Sequence, residues 1–497
     1  MGIIEKITRI FKEDHTKAPI VEAIERYHKS GIVPFTTPGH KRDRGVSAEI
    51  KYAIGAETYR NDITMQNGAD DRRESKGIQQ EAEKLFADAI GSEQSYFSTN
   101  GSSLSAHSAI LTIANPGDKI LTVRNMHKSM VAALIMADVI PVFLKPAIDE
   151  ELDVEHGVTP EHLEEMLDAH PEAKGVFIVS PDYYGVTSDV AALADLCHDR
   201  EIPLVVDEAW GPHFPFHSDL PPSAMECGAD ISFGSVHKTM NGLSQASVLN
   251  VQGKLIDQDR FTLCFDLFET TSPSSLIMAS TDAARRQMAL NGEKIWEKTL
   301  KLARKARKKL ANLEGLHVVG EEVLEKPGTY AFDETKLTVD VRGLGLSGYL
   351  AADWMLENFN ITVELIDHRH VMAIISPADT HKTVDRLIAA LKGLWEWAQE
   401  TKPNAVAPLP HHSELGTEIV LSPTKAFFSK TRKVPIEEAA GEIIAEMVSP
   451  YPPGIPRLLP GERITPTILD YLQKGRDAGM FVLDPSDQTL QTLRVVA

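Results

Sequence analysis

Between Ser95 and Val251 the apolar residues fall into short β-rich runs separated by longer stretches with helical spacing. The runs are Ser95–Ser98, Lys119–Val123, Ile140–Leu144, Val176–Val179, Leu204–Val206, Ile231–Phe233 and Ser247–Val251. Helices are predicted over Leu104–Ala114, Ser129–Ala137, Pro160–Ala169 and Ser188–Arg200, with Asn115-Pro-Gly-Asp118 as a turn. Strands alternating with helices in this way predict an α/β domain around a mostly parallel sheet.

The flanks are patterned differently. Apolar residues recur at helical spacing from Ile3 to about Ser30, and Pro34-Phe-Thr-Thr-Pro-Gly-His40-Lys41 forces an irregular, extended path that fixes His40 and Lys41 in place. After Val251 a hydroxyl-rich turn, Phe268-Glu-Thr-Thr-Ser-Pro273, precedes a long helical stretch to about Leu313. Strands at Lys336–Val341, Thr362–Leu365 and Val371–Ile375, with helices at Gly348–Phe359 and Lys382–Trp397, predict a small α/β domain. A proline-rich connector at Ala405–His412 leads to a tail with its own pattern. The expected division is an N-terminal helical segment (1–35), a large domain (36–313), a small α/β domain (314–400) and a C-terminal domain (401–497).

Composition narrows the function classes. A chain of 497 residues is too long for one core, and 42% apolar with 25% charged residues is ordinary for a folded protein. A formal charge of −20 disfavours a nucleic-acid surface. The one dense basic run, Arg304-Lys-Ala-Arg-Lys-Lys-Leu310, lies on a helical pattern and reads as a solvated face. Cys197, Cys227 and Cys264 have neither metal nor disulfide spacing, so they read as reduced thiols. With no signal peptide and no apolar run of membrane-spanning length, a cytoplasmic protein without membrane or nucleic-acid partners is expected.

In open α/β sheets, ligands bind beyond the carboxyl ends of the strands. There the chain places Thr99-Asn-Gly-Ser-Ser103, Arg124-Asn-Met-His127, Ser180-Pro-Asp-Tyr-Tyr184, Asp207-Glu-Ala-Trp210 and Ser235-Val-His-Lys238. A lysine just past one buried strand and an aspartate ending the preceding one are what pyridoxal 5'-phosphate (PLP) chemistry requires. The amine forms an imine with the cofactor aldehyde, and the carboxylate keeps the pyridine nitrogen protonated. Lys238 and Asp207 are the candidates; taken singly, they read as a solvated loop lysine and a helix cap. Gly101, Ser102 and Ser103 open a helix and offer N–H and hydroxyl donors to a phosphate, or form an ordinary N-cap. His127 stands where a flat imidazole can lie against a flat cofactor, or cap the next helix.

Together, seven ordered motifs resemble the Orn/Lys/Arg decarboxylase family of prokaryotes. They are Pro34–Lys41, Asn100-Gly-Ser-Ser103, Arg124-Asn-Met-His-Lys-Ser129, Asp207–Trp210, Ser235–Lys238, Thr270-Thr-Ser-Pro273 and Tyr451-Pro-Pro-Gly-Ile-Pro456. The resemblance implies a PLP-dependent transferase of fold type I (aspartate-aminotransferase-like). It makes Lys238 the imine lysine, Asp207 the pyridinium partner and His127 the ring-stacking residue, and gives the phosphate to Gly101, Ser102, Ser103, Ser235 and His237. Ala209 and Trp210 complete the cofactor site, and Lys238 or His237 returns the proton. Thr270, Thr271 and Ser272 are implied to reach the phosphate of a neighbouring subunit, hence a homodimer or higher oligomer with shared active sites.

Chain length resembles the short biosynthetic members, which implies arginine to agmatine for polyamine biosynthesis, with lysine or ornithine as alternatives. His40, Lys41, Asp70, Asp71 and Glu446 are the expected substrate-binding residues, with Asp62 as a further carboxylate for the substrate cation. The chain departs from the family at Glu442, where a basic residue is usual, and at Arg72 and Arg73. Two other readings use the same fold. An aminotransferase or PLP-dependent oxidase would need an arginine for the substrate carboxylate, for which Arg342 and Arg369 are candidates. A non-catalytic PLP-binding regulator would not need Lys238, Asp207 and His237 together.

Overall fold

The structure, a computed structural model, describes residues 11–65, 77–403, 406–451 and 454–497. Its main strands are β1 (Gln94–Ser98), β2 (Lys119–Val123), β3 (Ile140–Leu144), β4 (Val176–Val179), β5 (Leu204–Asp207), β6 (Ile231–Gly234), β7 (Ser247–Val251), β8 (Lys336–Asp340), β9 (Leu365–Ile366) and β10 (His370–Ile374). The helices used below are α1 (Pro19–Lys29), α2 (Ile78–Ile90), α3 (Gly101–Ile113), α4 (Lys128–Ala137), α5 (Gln258–Phe268), α6 (Ser275–Leu310), α7 (Gly348–Phe359) and α8 (His381–Thr401).

Contacts divide the chain into two units, one built from residues up to Thr112 with Val205–Trp296, the other from Ile113–Leu204 with Glu297–Ala497. In the first unit β1, β7, β6 and β5 are hydrogen-bonded in that order. β5 and β6 are parallel, whereas β7 runs antiparallel to both β6 and β1. The return from β6 to β7 contains a single short helix, Val236–Thr239, and a connection that short yields an antiparallel neighbour. In the second unit β2 lies between β4 and β3 and is parallel to both. These strands are almost wholly buried, as sheets covered by helices on both faces must be.

Further apolar cores lie in the second unit, two of them large. Leu337, Val339, Met355, Val371 and Leu391 join β8, β10, α7 and α8 in one. Ile444, Leu458, Leu472, Leu493 and Val495 form the other, in the C-terminal region.

Some elements differ from expectation. Of the stretch expected to be helical from Ile3 to about Ser30, residues 3–10 lie outside the described residues; from residue 11 on the helix is Pro19–Lys29, because proline fixes the first turn and Asp14 turns the chain ahead of it by accepting from Thr16 N–H and Oγ1–H. The strand expected over Thr362–Leu365 pairs regularly only at Leu365–Ile366, since Ile361 N–H is still bonded to Met355 O at the end of α7. The basic run on α6 is not simply solvated. Arg307 donates to the carbonyls of Val319, Glu334 and Lys336, and Arg304 and Lys305 pair with Glu334 and Asp385.

Candidate active site

The ends of β5 and β6 and the start of β7 bring one group of polar side chains together in the first unit. Asp207 is the last residue of β5 and buried; its Oδ1 accepts from Ala209 N–H at 3.0 Å. The chain then turns through Ala209, whose carbonyl accepts from Ser235 N–H at 3.2 Å and so locks the β5 turn to the β6 turn. Lys238 lies on the short helix after β6, with Nζ 3.9 Å from the centroid of the Trp210 ring. Ring and aliphatic stem thus hold the amine beside the buried carboxylate's turn.

Electrostatics set Asp207 apart. Burial pushes its carboxyl up to about 6, against the Ala209 amide and the charge of Lys238, which pull it down. A carboxylate in this position gains most from a cation brought by a ligand. His237 is lowered, first by burial, with Ala246 O opposing and Lys238 adding to the effect. Its Nδ1–H donates to Ala246 O at 2.9 Å, which fixes the tautomer and leaves Nε2 with the lone pair.

Three hydroxyls close the other side. Ser102 Oγ lies 2.8 Å from Ser235 Oγ and 3.0 Å from Ser247 Oγ, and Ser247 donates to Gly234 O. Gly101 begins α3 with φ +69°, a conformation glycine adopts readily, and its N–H is bonded to Gln245 O. Hydroxyls and a helix start converging from β1, β6 and β7 fit a phosphate. The residues present therefore fit PLP: an amine, a buried carboxylate lacking a strong cation partner, and an anion cradle. Ser103 is exposed at the edge of the cradle.

The remaining expected residues are distributed more widely. His40 bonds Asp62 (3.1 Å) and packs edge-on against Tyr59, and Lys41 Nζ donates to Thr36 O. Asp70, Asp71, Arg72 and Arg73 lie outside the described residues. Thr270, Thr271 and Ser272 are exposed after α5.

In the second unit His127 caps α4, its Nδ1 accepting from Ser129 N–H, while the ring edge faces Gly454: a methyl there would lie 3.6 Å from Nε2. Its neighbours in the motif are structural. Arg124 binds Glu462 through Nε and Nη2, both at 3.0 Å, and donates to Pro456 O; Lys128 pairs with Asp484. Both oxygens of Glu446 accept backbone N–H groups, from Ser486 and Arg494 at 2.7 Å, which makes it a brace of the C-terminal region. Glu442 pairs with Arg432. Arg342 and Arg369 are held by Asp340 and Asp153, so neither stands ready for a substrate carboxylate.

Sequence reasoning missed Ser247 and Gln245. Ser247 had a signal, a hydroxyl opening a strand otherwise dominated by apolar residues; Gln245 did not. Among the described residues there is no metal-ligand cluster and no helix long and apolar enough to cross a membrane, and all three cysteines are free thiols.

Comparison with known proteins matches residues 18–383 to the family "Orn/Lys/Arg decarboxylase, major domain" and 413–480 to "Orn/Lys/Arg decarboxylase, C-terminal domain". The chain is 38% identical over 488 residues to the arginine decarboxylase of Bacillus subtilis (strain 168), covering 97% of this chain and 98% of that one. It is 37% identical to the arginine decarboxylase of Bacillus anthracis, covering 98% and 99%. Among solved structures, the lysine decarboxylase LdcF of Francisella novicida superposes with a TM-score of 0.80 at 23% identity, over 96% of this chain and 80% of that one. At that identity the likeness speaks for the fold alone.

Proposed function

Because the chain belongs to the Orn/Lys/Arg decarboxylase family, we propose that it uses pyridoxal 5'-phosphate to convert arginine to agmatine and carbon dioxide. It is a decarboxylase, and its α/β architecture is that of PLP-dependent fold type I. The observation that carries the cofactor reading is the buried, upward-shifted Asp207 beside the Trp210–Lys238 pair. Arginine is supported by relatives 36–39% identical over most of their length that bear that activity's name.

When bound, the cofactor supplies an electron-accepting pyridinium ring for the electrons of the broken Cα–carboxylate bond. Asp207 would keep the ring nitrogen protonated, a cation partner that would favour its own ionised form. Lys238 Nζ would hold the cofactor through its aldehyde, and as a free amine it could take up or give a proton. His237 Nε2 is the second group able to hold that proton, with Nδ1 anchored on Ala246 O. Ser102, Ser235 and Ser247, now hydrogen-bonded among themselves, would hold the phosphate. Ser103 would add to the cradle. His40, Lys41, Asp62, Asp70 and Asp71 belong to the substrate side.

We assign Thr270–Ser272 to the neighbouring subunit's phosphate in a homodimer or larger assembly. Support comes from their exposure and from Leu263 and Leu267 on the helix just before them, 70% and 71% exposed. A cytoplasmic enzyme feeding polyamine synthesis is consistent with the free thiols and with agmatine as product. Incubating the PLP-loaded protein separately with arginine, lysine and ornithine and identifying the amine by mass spectrometry tests the reading. Agmatine formed fastest is expected. Faster cadaverine or putrescine would remove the arginine assignment, and a keto acid in place of an amine would replace decarboxylation by transamination.

A further inference from the structure

Helix α5 is fastened to the phosphate-cradle helix α3 and to its approach strand β1. Arg260 donates from Nε and Nη2 to Leu111 O, near the far end of α3. Midway, the His107 and Phe268 rings lie 5.5 Å apart, and Tyr96 of β1 packs on Phe261 and Phe265 at 5.0 and 5.4 Å. At the cradle end, Glu269 Oε1 accepts from Thr99 Oγ1 and from Thr270 N–H, both at 3.0 Å. Thr99 is buried and directly precedes Asn100-Gly101-Ser102; Thr270 begins the exposed hydroxyl turn.

The placement of this acid calls for a reason. The C-terminus of a helix is its negative end, so a carboxylate there is disfavoured. Helix closure does not require the side chain, because the Glu269 N–H makes the capping bond to Phe265 O. The carboxylate ties the strand end opening the cradle to the turn leaving α5.

We propose that Glu269 is a positioning residue for the cofactor phosphate. One carboxylate oxygen fixes the Thr99–Ser102 turn of its own site and the Thr270–Ser272 turn offered to the adjoining subunit. The idea rests on the PLP and shared-site reading above. It adds that cofactor retention within a subunit and presentation of the turn to its neighbour are set by the same hydrogen-bonded group.

The test titrates PLP into cofactor-stripped protein, following visible absorbance, alongside thermal unfolding without cofactor. Glu269→Ala and Thr99→Val should each weaken PLP binding about 10- to 100-fold, the range of a charge-assisted hydrogen bond. The double variant should be hardly worse than either single one. Thr99→Ser and Glu269→Gln, which keep the hydroxyl and a carbonyl acceptor, should recover most of the affinity. A purely structural role predicts lowered unfolding temperature with PLP affinity intact in all variants, and that result would overturn the inference. If Glu269→Ala does not fold, the near-isosteric Thr99→Val decides on the same criterion. Ser102→Ala is the control for the underlying reading. Weakened binding there with unchanged binding in Glu269→Ala and Thr99→Val rejects the inference alone, whereas no PLP uptake by the unaltered protein rejects the cofactor reading itself.

Discussion

Two buried groups of charged side chains, one around Lys238 and one around Arg457, treat their carboxylates in opposite ways. Burial carries Asp207 up to about 6, with only a backbone amide and one lysine pulling back. Around Arg457, burial acts in the same direction on Asp153, Glu155 and Asp367, yet all three end below the usual carboxylate range. The reason is partners. Asp153 receives His412 and Arg369, Glu155 receives Arg457 Nη1 at 2.9 Å, and Asp367 accepts from Tyr184 Oη and from His370 Nδ1. Arg457 also donates to His412 Nε2 at 2.6 Å, so each of the three acids sits among its own partners. A satisfied cluster is structure; a buried acid short of cations is a place held for a ligand.

Removing the amine should give the largest effect. Lys238→Ala is expected to abolish the visible absorption of the lysine-bound cofactor and lower turnover by several orders of magnitude, since the attachment point and a proton carrier vanish together. A borohydride-reducible lysine adduct persisting in this variant would show that another lysine holds the cofactor.

Asp207→Asn separates function from stability within the first group. Turnover should fall by about 100-fold or more, as an amide does not keep the ring nitrogen protonated. The cofactor-free protein should instead gain stability. A raised carboxyl binds its proton more tightly folded than unfolded, so its favourable contribution is complete below pH 3.8 and is lost as pH rises through about 6. Above that pH the asparagine should be more stable than wild type by up to about 3 kcal/mol, shrinking to nothing in acid. Denaturant melts at pH 4 and pH 8 check both limits; a destabilised asparagine variant at pH 8 would mean that Asp207 is satisfied without a ligand.

The second group should answer with the opposite sign. Arg457→Met leaves Glu155 buried without its cation and is expected to destabilise by about 3–5 kcal/mol, with Glu155→Met in the same chain recovering most of it. Depressed carboxylates contribute stability that is present above their unfolded values and lost as pH falls, so this unit should weaken in acid. His370, which burial alone would lower, is raised by Asp367 and loses its share as pH rises past its ordinary range. Urea midpoints across pH for the single and double variants measure this; full additivity of the two substitutions would show that the pair is not coupled.

The contrast also explains what was legible in the chain. Strands β2, β3, β4 and β7 were readable to the residue, because a short buried run bounded by turn residues has few alternatives. Lys238, Asp207, Ser102 and Ser235 could be picked out as candidates because strand ends carry ligands and their residue types carry chemistry; that Ser102 and Ser235 lie within hydrogen-bond distance of each other is a tertiary fact. The Arg457 cluster was not, since its members are spread from Asp153 to Arg457 and only tertiary contact reveals that each acid has a partner. Glu269 was hidden likewise: its hydrogen bond to Thr99 spans 170 positions. The antiparallel direction of β7 depended on how little chain separates it from β6, which apolar patterning does not register.

Glu446 gives the smallest effect and separates the two kinds of acid once more. As an acid in the tail it was expected to meet the substrate cation, and in that role Glu446→Gln would raise the KM for arginine at unchanged stability. The structure gives both its oxygens backbone donors, Ser486 N–H and Arg494 N–H, the latter on the strand Thr492–Val496 that pairs with Thr431–Pro435. Glutamine keeps one acceptor and turns an NH2 group toward the other amide, so one buried N–H loses its partner. The expected outcome is a loss of about 1–3 kcal/mol in unfolding free energy with the KM within about twofold of wild type. Steady-state kinetics on arginine and a urea melt of the same preparation suffice to decide. A tenfold rise in KM without destabilisation would move Glu446 from the satisfied class to the class of Asp207, an acid held for a ligand.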